Sequence, residues 1–305
     1  MIEDLRKQQM ELVRRRAAEG KRRRRKRILI LTPLLMLLLL AALLAVQILG
    51  NRHFETSSYH LRSEKVTTSV RLAVLSDLHS LEYGPENSEL IEAIRSARPD
   101  LILMIGDMVN KDDTEFSSLY RLCEALGEVA PIYFTLGNHE GTVMYSRLDT
   151  VPLDEELTQR GVNVLINRCV EWKKEDTTIQ LAGIATDEGG YDQWAREPLE
   201  EFWGREGYKI VLAHYPGLYR SKLKEASYDL GLAGHYHGGL ICIPGMGGLY
   251  HPETGLFPEY WGGQYATATG TLIVSRGFGG HAWIPRLNNR PELVIIEISP
   301  NIQEG

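Results

Sequence analysis

Cysteine is scarce in this sequence, and the three cysteines stand far apart. Cys123, Cys169 and Cys242 are the only ones among 305 residues. A disulfide framework or a zinc ribbon needs more thiols, usually in closely spaced pairs. The sequence therefore excludes both classes, and it predicts three free thiols that behave as small, mostly buried apolar groups.

Internal repeats and low-complexity tracts are also missing. Hydrophobic residues make up 43% of the chain and charged residues 24%, which is the composition of an ordinary globular protein. Solenoids, collagen-like chains and largely disordered chains are thereby excluded.

A net positive charge is lacking outside the first 27 residues. That stretch holds twelve Lys and Arg against four Asp and Glu, so 22 basic and 36 acidic residues remain for the rest of the chain. Nucleic-acid backbones reward cationic surfaces, and we expect no nucleic-acid partner for so acidic a body.

One uncharged run stands out near the N-terminus. Residues 28–49 contain no charge, and as a helix they would be about 33 Å long, enough to cross a hydrocarbon core of about 30 Å. The basic run Lys21–Arg27 precedes them, and such a run stays cytoplasmic. The pattern predicts a cytoplasmic segment 1–27, a transmembrane signal anchor 28–49 in the bilayer, and an extracytoplasmic domain 50–305.

Two alternatives to an anchor stay open. A cleaved signal peptide usually has a shorter apolar region and small residues at its cleavage site, and Val46–Gly50 offers no good match. A buried core helix is the second alternative, and it would not explain why a basic run directly precedes the apolar residues.

Short apolar runs bounded by Gly, Asp, Asn or His predict buried strands in the remaining 255 or so residues. The five clearest are Val70–Ser76, Leu101–Ile105, Ile132–Leu136, Ile210–Ala213 and Leu230–Ala233. Helical spacing predicts helices over Asn87–Ala97, Ser117–Leu126 and Asp154–Arg160, strands follow later in the chain, and Phe54–Arg62 is a candidate edge strand. Strand–helix alternation followed by strands predicts an α/β sandwich of two facing sheets with helices outside.

Polar residues follow each of the five strands. They are Asp77 and His79, then Asp107, then Asn138-His139-Glu140, then His214, then His235 and His237. Ligands bind at the carboxyl ends of parallel strands, so these side chains can converge. Carboxylate, amide and imidazole groups without thiolates suit manganese, iron or zinc. Singly, each has a plainer explanation as a helix cap, a turn residue or a core histidine.

Taken together, the ordered blocks Asp77-x-His79, Gly106-Asp107, Gly137–Glu140, His214 and Gly234-His235-x-His237 resemble the calcineurin-like metallophosphoesterases. The tail resembles their membrane-associated bacterial phosphodiesterase branch, through Gly238-Gly239, Pro244-Gly245, Tyr260–Tyr265, Ser275-Arg276-Gly277 and Arg290-Pro291-Glu292. The departures are Tyr236, Leu240 and Glu140, where the branch usually has Thr, Gln and Asp. The first two concern the pocket rim, and the third keeps a carboxylate.

The resemblance implies a four-layer αββα sandwich and a centre of two divalent metals, Mn, Fe or Zn. Asp77, His79 and His237 would hold the first metal, Asn138, His214 and His235 the second, and Asp107 would bridge them. The implied reaction is in-line attack on phosphorus by a hydroxide that bridges the metals. His139 is the catalytic candidate that protonates the leaving oxygen or orients the phosphate.

Two further residues are candidates for support. Glu140 could assist His139 or be a solvated loop carboxylate, and Arg276 could contact phosphate or form a structural ion pair.

The predicted function is membrane-anchored hydrolysis of a phosphodiester or pyrophosphate. The loop Leu249–Tyr265 carries five aromatic residues and could form a rim that favours a lipid-linked or cell-envelope substrate, or it could be a packed loop. A phosphomonoesterase or nucleotide hydrolase on the same scaffold and a catalytically silent, membrane-tethered binding module stay open, as do metal identity and oligomeric state.

Overall fold

The structure is a computed structural model that describes residues 1–280 and 286–301, and the chain divides between Leu49 and Gly50. The N-terminal unit consists almost entirely of one helix, α1 (Ile2–Gly50), whose last residue falls in the second unit. It is the one helix in the described part of the chain that is long and apolar enough to cross a bilayer. A signal sequence would pass the same test, so length and composition support a membrane span without selecting between the two.

The second unit contains two six-stranded sheets and several short helices. The strands are β1 (Glu55–Ser63), β2 (Val70–Leu75), β3 (Leu101–Ile105), β4 (Ile132–Thr135), β5 (Asn163–Val164), β6 (Arg168–Lys174), β7 (Thr177–Ile184), β8 (Tyr208–Ala213), β9 (Leu230–Ala233), β10 (Cys242–Ile243), β11 (Gly247–Gly248), β12 (Tyr250–His251), β13 (Gly255–Leu256), β14 (Gly263–Ala266), β15 (Thr271–Val274) and β16 (Glu292–Pro300). The helices are α2 (Ser88–Ala97), α3 (Ser117–Gly127), α4 (Asn138–Gly141), α5 (Leu153–Gln159), α6 (Tyr191–Trp194), α7 (Glu200–Gly204) and α8 (Pro216–Arg220).

Each sheet has a parallel centre. The first sheet has the order β1-β16-β2-β3-β4-β5, and the second has the order β14-β15-β9-β8-β7-β6. Strands β2 to β5 run parallel to one another, as do β7, β8, β9 and β15. The carboxyl ends of the central strands therefore meet at one edge of each sheet.

Three apolar layers separate four layers of secondary structure. Alternate residues of β2 show this, because Leu72 and Val74 pack between the sheets whereas Ala73 and Leu75 face the helices. On the far side, Val211 of β8 packs against helical residues. The fold is thus the four-layer αββα sandwich that the resemblance implies.

The sequence located the buried strands well and the exposed ones poorly. Leu101–Ile105 and Leu230–Ala233 have the predicted bounds, and the candidate edge strand exists as β1. Strand β6 was not predicted, because its sequence RCVEWKK is charged and half-exposed, as befits an edge. The hairpin strands β10 to β13 are only two residues long and leave no periodic signal.

Candidate metal centre

The two sheets bring the ends of their parallel strands together, and side chains from both sheets are in contact there. Asp77 follows β2 in the first sheet and His235 follows β9 in the second, yet the backbone N–H of His235 donates to both carboxylate oxygens of Asp77 at 3.1 Å. The contacts gather six of the seven predicted ligands, which are Asp77, His79, Asp107, His214, His235 and His237. The seventh, Asn138, directly precedes His139, whose backbone N–H donates to Asp107 at 2.9 Å.

One group of ligand atoms comes from Asp77, His79 and His237, and these atoms lie within 4.8 Å of one another. His237 Nε2 is 3.7 Å from Asp77 Oδ1. The ring centroids of His79 and His237 are 5.1 Å apart. All three side chains are buried or nearly so. Imidazole nitrogens and a carboxylate oxygen at this spacing suit a divalent transition metal.

A second group comes from Asp107, His214 and His235, again with ligand atoms within 4.8 Å of one another. Asp107 Oδ2 is 3.2 Å from His214 Nε2 and 3.9 Å from His79 Nε2. The Asp107 carboxylate thus faces a histidine from each group. That is the position that a bridging ligand would need.

Several buried polar atoms at this centre form no hydrogen bond, among them Asn138 Oδ1, His79 Nε2 and His214 Nε2. Leaving a buried polar atom without a partner costs about 1–3 kcal/mol. Bound cations would satisfy these atoms. His214 Nδ1 lies 2.7 Å from the carbonyl oxygen of Ile105. If Nδ1 donates this hydrogen bond, Nε2 keeps a lone pair directed at Asp107, as a metal ligand requires. The residues therefore fit divalent metals.

The electrostatics of the centre also favour a cation. Burial alone lowers the pKa of His214, but the carboxylates of Asp107 and Asp77 raise it to about 10. Burial would raise the pKa of Asp107, and the neighbouring His214 lowers it instead. His79 has fewer compensating contacts, and burial lowers its pKa to about 4. The two carboxylates thus favour positive charge at His214, and a bound metal would supply that charge in place of a proton.

The backbone at the centre is strained where ligands are presented. Five of the seven predicted ligands have a positive φ: Asp77 (54°), His79 (49°), Asp107 (53°), His235 (69°) and His237 (47°). Such angles cost a non-glycine residue roughly 1–3 kcal/mol each and persist only where surrounding contacts impose them. The sharp turns direct side chains from consecutive loop positions into one small volume.

Glu140 supplies part of that restraint. It is fully buried, and its carboxylate accepts hydrogen bonds from the backbone N–H groups of Asp107 (2.8 Å), Met108 (2.7 Å) and Gly137 (2.9 Å). Burial and the nearby Asp107 charge raise the pKa of Glu140 to about 7. The solvated carboxylate considered from the sequence is wrong. Glu140 ties the loop after β4 to the loop after β3, and it forms these bonds with the backbone rather than with His139.

Glycine is required at the same junction. A Cβ on Gly137 would lie 2.2 Å from Asp107 Oδ1, and a Cβ on Gly106 would lie 2.3 Å from the backbone nitrogen of Gly137. Gly106 also has a φ of 72°, which favours glycine. The two loops can approach closely only because neither residue has a side chain.

His139 adjoins both groups, and its ligand atom lies within 4.8 Å of those of His79 and Asp107. Its Nε2 is 3.9 Å from Asp107 Oδ2, and its ring centroid is 4.5 Å from that of His79. The backbone N–H of Lys111 donates to Nδ1 at 2.9 Å. Because Nδ1 accepts, the neutral ring carries its proton on Nε2, the nitrogen that faces the centre.

Arg276 does not reach the centre. Its guanidinium donates to Glu292 at 2.9 Å and to Glu55 at 2.7 Å, and it is held by these two carboxylates. The structural ion pair is therefore the correct alternative. It joins the end of β15 to the first residues of β1 and β16.

Sequence reasoning missed His251 and Glu253. Both lie on the hairpin β12–β13, within the loop for which the sequence suggested a rim, and their ligand atoms group with that of His235. The loop is neither wholly packed nor wholly free, since His251 is buried whereas Tyr250 and Phe257 are exposed. The sequence pointed to these two residues only in that both are of types that can bind a metal.

A family model described as calcineurin-like phosphoesterase matches residues 70–239, which include all seven predicted ligands. Phosphodiesterase YaeI of Escherichia coli (strain K12) is 29% identical over 235 residues, covering 75% of this chain and 82% of the relative. An uncharacterized metallophosphoesterase of Aquifex aeolicus is 29% identical over 281 residues, covering 84% and 97%. The metallophosphoesterase YkuE of Bacillus subtilis is 26% identical over 258 residues, covering 80% and 85%.

Proposed function

Since the chain belongs to the calcineurin-like phosphoesterase family and is a metal-dependent phosphoester hydrolase, we propose that it cleaves a phosphodiester or a pyrophosphate at a centre of two divalent metals. Asp77, His79 and His237 hold one metal, and Asn138, His214 and His235 hold the other. Asp107 bridges them.

One observation carries this proposal, namely the two groups of buried ligand atoms with Asp107 between them. A single structural histidine–aspartate pair would need neither the second group nor the strained loops. Two sets of ligands that share one carboxylate match the requirement of an in-line displacement, in which the attacking and the leaving oxygen both need stabilisation.

The metals, when bound, neutralise the phosphate oxygens and supply an activated water as nucleophile. The protein positions the metal ligands and supplies a group for proton transfer. Asp77 and Asp107 balance the cationic charge, and the loops held by Glu140 keep the ligands in place. His139 directs its Nε2 proton towards the centre, where it can protonate the leaving oxygen or donate a hydrogen bond to the phosphate.

Exposed apolar side chains support a lipid-linked or cell-envelope substrate. In the described residues from Gly50 onward, eight large apolar side chains are exposed, and each lies in a segment that follows the carboxyl end of β2, β4, β7 or β9: Leu81, Tyr145, Leu148, Trp194, Met246, Tyr250, Leu256 and Phe257. Of these segments, the β12–β13 hairpin contacts the centre, through Glu253 and His235. Exposed apolar groups beside a site are typical of binding to an acyl chain or a bilayer surface.

Residues 28–49 serve as a signal anchor in this proposal. They place the N-terminus in the cytoplasm and residues 50–305 outside the membrane. The charge-free run, the preceding basic residues and the long apolar helix support this arrangement.

The test uses the full chain in detergent, loaded with Mn²⁺, with a panel of a soluble diester, a pyrophosphate and a monoester. We expect hydrolysis of the diester or the pyrophosphate, and we expect Asp107→Asn and His235→Ala to lower kcat/KM by at least about 10³-fold, because both remove ligands that preorganise the transition state.

The matched control is Asp112→Asn, which removes one exposed carboxylate from the loop after Asp107. Circular dichroism checks that each variant folds. Undiminished hydrolysis in both ligand variants would contradict the site. A monoester preference would support the phosphomonoesterase alternative, and bound metal without turnover on any ester would support the binding module.

A further inference from the structure

A short hairpin of unassigned function packs against the second group of ligands. Strands β12 and β13 pair antiparallel, with Tyr250 opposite Leu256 and His251 opposite Gly255. The turn between them contains Glu253. The hairpin follows His237 in the chain, and it belongs to neither of the two six-stranded sheets.

The hairpin contacts the centre through His235. Glu253 Oε1 is 3.0 Å from His235 Nε2. The ring of His251 is packed edge-on against His235, with centroids 5.0 Å apart, and it lies 4.4 Å from the ring of Tyr236. The backbone N–H of Glu253 donates to His251 Nδ1 at 3.4 Å, which holds the turn against the buried imidazole.

A carboxylate on one nitrogen of a histidine has a defined effect on the other nitrogen. It keeps the proton on the nitrogen it contacts, orients the ring, and makes the opposite nitrogen a better metal ligand. His235 belongs to two groups of possible ligand atoms. It groups with Asp107 and His214 at the centre, and with His251 and Glu253 at the hairpin.

We propose that Glu253 is a positioning residue for the second metal. Its carboxylate lies 3.0 Å from His235 Nε2 and would keep the ring proton on that nitrogen, which leaves the lone pair of Nδ1 to the metal, while His251 holds the turn that presents the carboxylate. This inference rests on the two-metal centre proposed above and assigns the hairpin a supporting role in it.

The test measures metal affinity rather than activity. Full-length protein in detergent is freed of metal and titrated with Mn²⁺, and bound and free Mn²⁺ are distinguished by electron paramagnetic resonance. The titration should give two dissociation constants for Mn²⁺, one for each metal. We expect Glu253→Gln to raise one of these constants by about 10–100-fold and to leave the other unchanged. Glu253→Asp should recover part of that affinity.

Glu259→Gln is the matched control, since it removes the same charge from an exposed position of the same loop. We expect its Mn²⁺ affinities to equal those of the unaltered protein. Equal affinities for Glu253→Gln and Glu259→Gln would overturn the positioning role. An unaltered protein that binds no Mn²⁺ would instead overturn the two-metal centre itself, so the two failures are distinguishable.

A double variant decides whether Glu253 acts through His235. If it does, Glu253→Gln should weaken Mn²⁺ binding no further once His235→Ala is present, because the intermediate group is gone. Additive losses would mean that Glu253 binds the metal directly, and the positioning role would then be wrong.

Discussion

Glu140 illustrates how one side chain can organise a site without touching its substrate. Its buried carboxylate accepts from the backbone of two loops, and those loops carry Asp107 and Asn138. When Glu140 is ionised, each such hydrogen bond contributes about 1.5–3 kcal/mol, enough to offset the strain of one or two left-handed residues. The change from Asp to Glu relative to the family pattern is therefore accommodated by contacts with the backbone.

His139 is the residue with the most specific catalytic prediction. Its Nδ1 accepts from Lys111, and its Nε2 faces Asp107 without being needed for either ligand set. We expect His139→Ala to lower kcat about 10²–10⁴-fold, the usual contribution of a general acid, while both metals stay bound. Turnover of the soluble diester and metal analysis by mass spectrometry check this.

The control for this variant is His53→Ala, which removes an exposed imidazole near the start of the domain and should leave both quantities unchanged. Loss of one metal from His139→Ala would show that His139 is a ligand and not an acid.

Among the structural elements, the β12–β13 hairpin combines two properties. Its turn places Glu253 on His235, whereas Leu256 and the following Phe257 are 66% and 43% exposed. Both side chains thus present apolar surface to solvent beside the candidate metal centre. They are suited to contact with the apolar part of a substrate.

We expect Leu256→Ser combined with Phe257→Ser to lower kcat/KM on a micellar phospholipid diester about tenfold. Partial loss of apolar contact at two positions corresponds to about 1.4 kcal/mol. Hydrolysis of a soluble aryl diester should not change. Rates on the two substrates, measured side by side, check the prediction.

The conservative pair Leu256→Met and Phe257→Leu keeps the apolar surface and should behave as the unaltered protein does. Equal losses on both substrates in the serine variant would point to a disturbed metal centre and would contradict a role in lipid contact.

At the level of the whole molecule, charge and hydropathy are strongly segregated along the chain. The first 27 residues are basic, residues 28–49 are uncharged, and the remainder has 22 basic against 36 acidic residues. This order matches a chain whose basic end stays inside while the acidic domain is translocated.

The proposed anchor can be tested on the intact chain. Expressed in a bacterial host, it should resist extraction with alkaline carbonate and keep residues 1–49 in its measured mass. Leu37→Arg with Leu38→Arg should release it, because each arginine costs about 2.5–3.5 kcal/mol at the centre of a spanning helix.

Leu37→Val with Leu38→Val is the matched control and should stay membrane-bound. A mature protein that begins after residue 49 would identify a cleaved signal peptide in place of an anchor. Protease added to spheroplasts should remove a C-terminal tag and spare an N-terminal one.

The parallel strands and the polar residues at their ends could be predicted from the chain alone. A buried strand such as Leu101–Ile105 is a local apolar run, and Asp107 is separated from its end by a single glycine, so sequence spacing carries the information. The long apolar run is local in the same way.

The partners of Arg276, Glu140 and Glu253 required the folded chain. Arg276 is 221 positions from Glu55, and Glu253 meets a histidine that lies before its own hairpin in the chain. No local pattern encodes such pairs, because they depend on how the two sheets pack and on which turns bring the loops together. The identity of the ligands can thus be predicted from the sequence. Their orientation and the residues that support them depend on contacts between the two folded sheets.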